Sequence, residues 1–150
     1  MLFRSHILLS LVIYFVLNYF VEMPFFVLGF VLFGAAFVDI DSGMSRVGKS
    51  LFFRPLQFMT RHRGFFHSLV ACVIFSLIIG VISRWGGFGF FVGYLSHLVL
   101  DCFTPAGVGL FWPFGFRVRG FIRSGSWVED VVFVLFLFLS VILGYLFLRI

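Results

Sequence analysis

Residues 93–107, GYLSHLVLDCFTPAG, carry the pattern on which the fold turns. The stretch ends an apolar run, yet it holds His97 and Asp101 four residues apart, which on a helix places them one turn apart on one face. Gly93 lies a further turn back on that stripe and lets a neighbouring helix approach closely. An imidazole and a carboxylate are costly on a greasy helix unless something pairs them. The stretch therefore calls for several helices whose polar ends meet.

The remainder of the chain supplies such helices. Hydrophobic residues make up 62% of its 150 positions and charged residues 11%, against roughly 45–50% and about 25% in soluble domains. This is the composition of an integral membrane protein. The 26 Phe residues read as apolar filling and imply no cofactor box. Runs free of charge place five spans at residues 7–21, 25–38, 65–82, 88–100 and 131–148, so the expected fold is all-α with about five transmembrane helices in a single membrane-embedded domain, residues 1–150. A bilayer core about 30 Å thick asks for about 20 helical residues. The first two runs are shorter, are joined by Glu22, Met23 and Pro24, and read as a hairpin in a locally thinned bilayer. The first run is expected to be a permanent span, because residues 18–24 offer none of the small residues of a signal-peptide cleavage site.

Two loops connect these runs at one end. Residues 39–64 are basic. Residues 103–127, with Trp112, Pro113 and Phe114 at their centre, are too hydrophobic for a solvated linker and either lie along the headgroup zone or re-enter the bilayer. With both loops inside, Arg4, Arg46, Lys49, Arg54, Arg61, Arg63, Arg117, Arg119 and Arg123 are cytoplasmic, and only Arg84 and Arg149 are outside. That bias sets the amino terminus in the cytoplasm of the cell (inner) membrane. The net charge of +5 then gathers on one face, where it favours anionic lipid headgroups or phosphate-bearing substrates. No soluble module exists to hold a nucleic-acid duplex, so direct nucleic-acid binding is not expected.

The same topology gathers the polar residues. His6 begins the first span on the inner side, Asp39 and Asp41 end the second, His67 begins the third, His97 and Asp101 end the fourth, and Glu129 and Asp130 begin the fifth. Asp39 and Asp101 fall at helix C-termini, where the macrodipole is already negative, so a cation should compensate them, either Arg or metal. His6 alone reads as an ordinary interfacial residue. His97, about one turn or roughly 5 Å deeper than Asp101, reads as a ligand. Glu129 is open between ligand and cap, since Ser126-Trp-Val-Glu129 has the S-x-x-E form of a capping box. Cys72 reads as core packing, and Cys102, on the reducing side, is not expected in a disulfide. Imidazoles with carboxylates form a nitrogen and oxygen set suited to zinc, with manganese or iron as alternatives, and numerous enough for one or two ions.

The ordered motifs SHILLS (5–10), DID (39–41), RHRGFFHS (61–68), GYLSHLVLDCFTPAGVGLFWPF (93–114) and GSWVED (125–130) resemble the LexA-binding, inner-membrane-associated hydrolase family, also described as membrane-bound metal-dependent hydrolases. The resemblance covers nearly the whole chain. It implies a small helical membrane protein with a metal site, and by motif position assigns His6, Asp39, Asp41, His67, His97 and Asp101 to that site. Two positions depart from the family pattern: Ser42 stands where a His often follows the second Asp, and Phe66 where Thr is common. The function this implies is hydrolysis at the cytoplasmic membrane surface of a phosphoester, such as a lipid or lipid-linked phosphate. Asp41 would bridge or orient, Glu129 would act as general base if it is not merely a cap, and Arg63, Arg117 and Arg119 are candidates to contact phosphate. The alternatives are a metal-ion carrier and a non-catalytic membrane anchor for a soluble regulatory protein.

Overall fold

The computed structural model describes residues 1–41 and 64–149, and those residues form five α-helices and no β-strand. Helix α1 spans Phe3–Phe20 and α2 spans Phe26–Phe37, running into a 3-10 turn at Val38–Asp41. A second 3-10 turn, Phe65–His67, precedes α3 at Leu69–Ile82. Helix α4 follows at Arg84–Cys102, and α5 at Trp127–Phe147.

Local chemistry sets several of these boundaries. Ser68, Ser83 and Ser126 are the N-caps of α3, α4 and α5, each accepting a backbone N–H with its hydroxyl. The third apolar run therefore becomes helical at Leu69 rather than residue 65, because Ser68 caps there and leaves His67 in the turn ahead of the helix. The fourth starts at Arg84 rather than residue 88, because Ser83 caps it that early. Asp39 and Asp41 sit in the turn beyond α2, not within the helix.

The bundle is built on a close pairing of α2 with α4. Val27 lies against Gly89, Val31 against Gly93 and Ala35 against His97, a constant register that makes the two helices parallel. A Cβ at Gly93 would stand 2.9 Å from the backbone nitrogen of Ala35 and nearer still to the Val31 carbonyl, so glycine is what admits the α2 backbone. Helix α3 returns antiparallel to α4, with Gly80 against Gly87. Helix α5 runs parallel to α1: Ser5 bonds Glu129, and Phe15 lies beside Gly144 and Phe147. These directions bring the start of α1, the end of α2, the start of α3, the end of α4 and the start of α5 to one end of the bundle.

The interior is apolar, with Phe90, Tyr94 and Leu98 packed on Ala71, Cys72 and Val38, and Tyr14 on Met23, Val27 and Val31. The outside is apolar too: Ile78, Val81, Val134, Phe138 and Val141 are all exposed. A helix surface of that kind is suited to lipid. Helices α1 and α5 are long and apolar enough to cross a membrane by themselves, whereas α3, at 14 residues, is apolar but shorter. Helix α2, at 12 residues, rises about 18 Å.

Gly93→Ala is expected to lower the stability of the detergent-purified protein by about 1–3 kcal/mol, the usual cost of overpacking. Gly29→Ala, at a site with no neighbour within 4 Å of the added atom, should leave it unchanged or slightly raised. Thermal unfolding followed by circular dichroism compares the two.

Candidate metal centre

The gathered helix ends hold a compact set of imidazoles and carboxylates. His97 is fully buried on α4, and its Nδ1 lies 2.7 Å from the Ala35 carbonyl of α2. A carbonyl only accepts, so Nδ1 carries a proton, and in the neutral ring Nε2 then presents its lone pair. That Nε2 is buried with no hydrogen-bond partner; it faces Asp39 Oδ1 and Asp101 Oδ2, each at 3.7 Å. His67 brings a second ring to the same place, its Nε2 at 3.6 Å from Asp101 Oδ2 and 3.9 Å from Asp39 Oδ1.

These separations exceed hydrogen-bond length. They are close to what a shared ion requires, since two donors each about 2.0–2.2 Å from one ion at a tetrahedral angle are roughly 3.3–3.6 Å apart. Asp39, His67 and His97 can each offer an atom to a common centre, and so can His6, His97 and Asp101. The buried Nε2 of His97, without a hydrogen bond among the described residues and facing two carboxylates, is the observation that makes the donor set fit a divalent ion.

Around the donors stand the groups that orient them. Asp41, buried in the turn after α2, places Oδ2 3.4 Å from His67 Nδ1, on the far side of that ring from the donors. This is the carboxylate–histidine arrangement that fixes the ring of a metal ligand. Burial holds the His67 imidazole below its ordinary pKa, with Asp41 opposing the shift, so the ring is drawn toward its neutral, ligating form. The hydroxyl of Tyr94 donates to the Phe66 carbonyl and pins the turn that carries His67.

His6 joins from α1. Its ring stacks on that of His97 with centroids 3.8 Å apart, and its Nε2 is 3.5 Å from Asp101 Oδ1. The same carboxylate oxygen accepts from the Met1 ammonium at 3.0 Å. Asp101 thus turns one oxygen to His6 and Met1 and the other to His67 and His97. His6 is fully integrated in the cluster, which the reading of it as an isolated interfacial residue does not anticipate.

Glu129 is fully buried but outside these donor groups. Its Oε2 accepts from the Gly125 amide at 2.6 Å, and its Oε1 accepts from the Leu2 amide and from the Ser5 hydroxyl at 3.3 Å. Half of the capping box is realised: Ser126 Oγ accepts from the Glu129 amide at 3.5 Å, whereas the Glu129 carboxylate takes the Gly125 amide rather than that of Ser126 and reaches on to fasten the start of α1. Arg4 pairs with Asp130 beside it. Arg117 and Arg119 are exposed and make no ion pair among the described residues; Arg63 lies outside those residues. The contributions of Ala35 and Ser5 are not visible from sequence, because one acts through a backbone carbonyl and the other is a single hydroxyl. Tyr94 is visible in principle, being three residues before His97 on the same helix face.

Comparison with known proteins places this geometry in a lineage. The model of the YdjM inner membrane protein family matches residues 1–149. The inner membrane protein YdjM of Escherichia coli (strain K12) is 39% identical over 92 residues, covering 54% of this chain and 46% of that protein. The Bacillus subtilis (strain 168) protein YvsG is 30% identical over 105 residues, 66% of each chain. The match spans about half the length of the Escherichia coli relative. No solved structure matches. An apolar helical bundle matched along nearly its whole length in this way is a protein of the inner membrane, and the chain belongs to the YdjM inner membrane protein family.

Proposed function

We propose that the protein is a divalent-metal-dependent hydrolase acting at the cytoplasmic surface of the inner membrane on a phosphoester, most naturally a lipid or lipid-linked phosphate. One observation carries the reading: nitrogens of His67 and His97 and oxygens of Asp39 and Asp101 approach one another at 3.6–3.9 Å, with no hydrogen bond to satisfy the Nε2 of His97. Two nitrogens and two oxygens favour zinc, with manganese or iron as alternatives. When bound, the ion supplies Lewis acidity for polarising a phosphoryl oxygen and acidifying water.

The side chains divide the remaining work. Asp39, His67, His97 and Asp101 hold the ion; Asp41 orients His67, and the Ala35 carbonyl fixes His97. His6 extends the cluster along the second oxygen of Asp101, which also accepts from the Met1 ammonium. Glu129 serves as a clasp between α1 and α5 instead of a general base, because its oxygens already accept three donors. All five helices cross the membrane, the short α2 with the help of its 3-10 turn, and the end bearing the basic loops is cytoplasmic. Strict alternation of helix direction supports that topology. Transporters place coupling groups near the bilayer midplane, whereas this cluster sits at one end of the bundle, which favours hydrolysis over a carrier. A plain anchor for a soluble regulator leaves the buried cluster without a role.

Elemental analysis of the detergent-purified protein is expected to find at least one divalent ion per chain, lost in His97→Ala and Asp101→Asn. Wild-type protein carrying no more metal than those variants would end the hydrolase reading. Asp41→Asn should bind metal about 10–100-fold more weakly, as loss of an orienting carboxylate does elsewhere. Glu129→Gln should keep its metal and its phosphate release from lipid phosphates while losing about 1–3 kcal/mol of stability, since an amide group would then face a buried donor. Lost turnover at unchanged stability would instead return Glu129 to catalysis.

A further inference from the structure

The segment between α4 and α5 is apolar, cationic and held in place. It contains no acidic residue from position 102 to 128. Its backbone closes on itself just past α4, the Gly120 amide donating to the Thr104 carbonyl at 3.0 Å and Ile122 to Phe103 at 2.9 Å; the Thr104 amide donates to the Asp101 carbonyl of α4 at 3.1 Å, and Leu69 of α3 donates to Leu110 at 2.9 Å. Val108 and Val118 exchange two bonds of 3.0 Å across it. The Trp112 ring meets Phe65 edge to face at 5.2 Å, two residues ahead of His67.

What this frame displays is unusual for a surface in water. Phe114, Phe116 and Phe121 are 76%, 66% and 81% exposed, and Trp112 is 44% exposed. Arg117, Arg119 and Arg123 are interleaved with them, exposed and without an ion pair among the described residues. Aromatic rings settle at the headgroup level of a bilayer, and arginines there are drawn to an anionic leaflet. Deep re-entry is disfavoured, because lipid-exposed irregular backbone would leave polar groups unsatisfied in hydrocarbon.

We propose that residues 103–126 form a lipid-phosphate platform, lying in the headgroup layer and binding anionic phospholipid, so that the neighbouring cluster receives phosphate esters sideways from the membrane. The delivery of an ester to the cluster rests on the hydrolase reading. The platform itself stands on exposure, charge and anchoring.

The test uses Trp85→Phe/Trp127→Phe protein, which leaves Trp112 as its sole tryptophan. The protein is reconstituted with phosphatidylcholine and phosphatidylglycerol, either lipid being brominated near the headgroup end of its chains. Trp112 fluorescence should be quenched by bromolipid, more strongly by the anionic form at equal mole fraction. That preference should fall by up to about fivefold for each of Arg117→Gln, Arg119→Gln and Arg123→Gln. Trp112 reached by aqueous iodide but untouched by bromolipid, or quenched equally by both lipids, overturns the platform. Metal content measured on the same samples separates the two readings: absent metal with lipid-selective quenching defeats the hydrolase alone, and bound metal without such quenching defeats the platform alone.

Discussion

Asp101 lies at the carboxyl end of α4, against the negative pole of its own helix, with its side chain withdrawn from water. A carboxylate so placed is stable only if positive or hydrogen-donating groups are delivered to it from outside the helix. The Met1 ammonium and His6 come to it from the start of α1 and His67 from the turn ahead of α3, while His97 faces it from the preceding turn of α4. The relative placement of α1, α3 and α4 at this end follows from that requirement.

Precision at the cluster is drawn largely from the backbone. The α2–α4 contact repeats every four residues through Gly89 and Gly93, and its next step is the bond from His97 to the Ala35 carbonyl. A side-chain partner in place of that carbonyl would have its own rotamers. Fixing the ring to a helix backbone instead makes the tautomer of His97 a property of helix packing. Tyr94 acts on His67 less directly, its hydroxyl donating to the Phe66 carbonyl and so holding the turn that carries the ring.

Much of this was legible in the residue pattern, because charge is so scarce that each polar position carries information. The all-helical class, the meeting of polar ends and the convergence of His67, His97, Asp39 and Asp101 all follow from spacing and parity. Helix starts were less legible: three serine caps determine them, and serine is too common to flag. Glu129 shows the ambiguity of a motif that serves two ends, since its capping form was visible but its reach to Leu2 and Ser5 depends on α5 running beside α1. That adjacency is a tertiary fact, and no local pattern encodes it.

The clasp between Ser5 and Glu129 joins residues 124 apart in the chain. During synthesis His6 therefore emerges ahead of His67 and His97, while the element that secures its helix emerges only after every other helix described here. Until then α1 has only part of its interface, although every donor of the cluster already lies in the chain ahead of α5. The last helix to emerge thus adds no donor to the cluster; what it adds is the fastening that holds α1, and His6 with it, against the other helix ends.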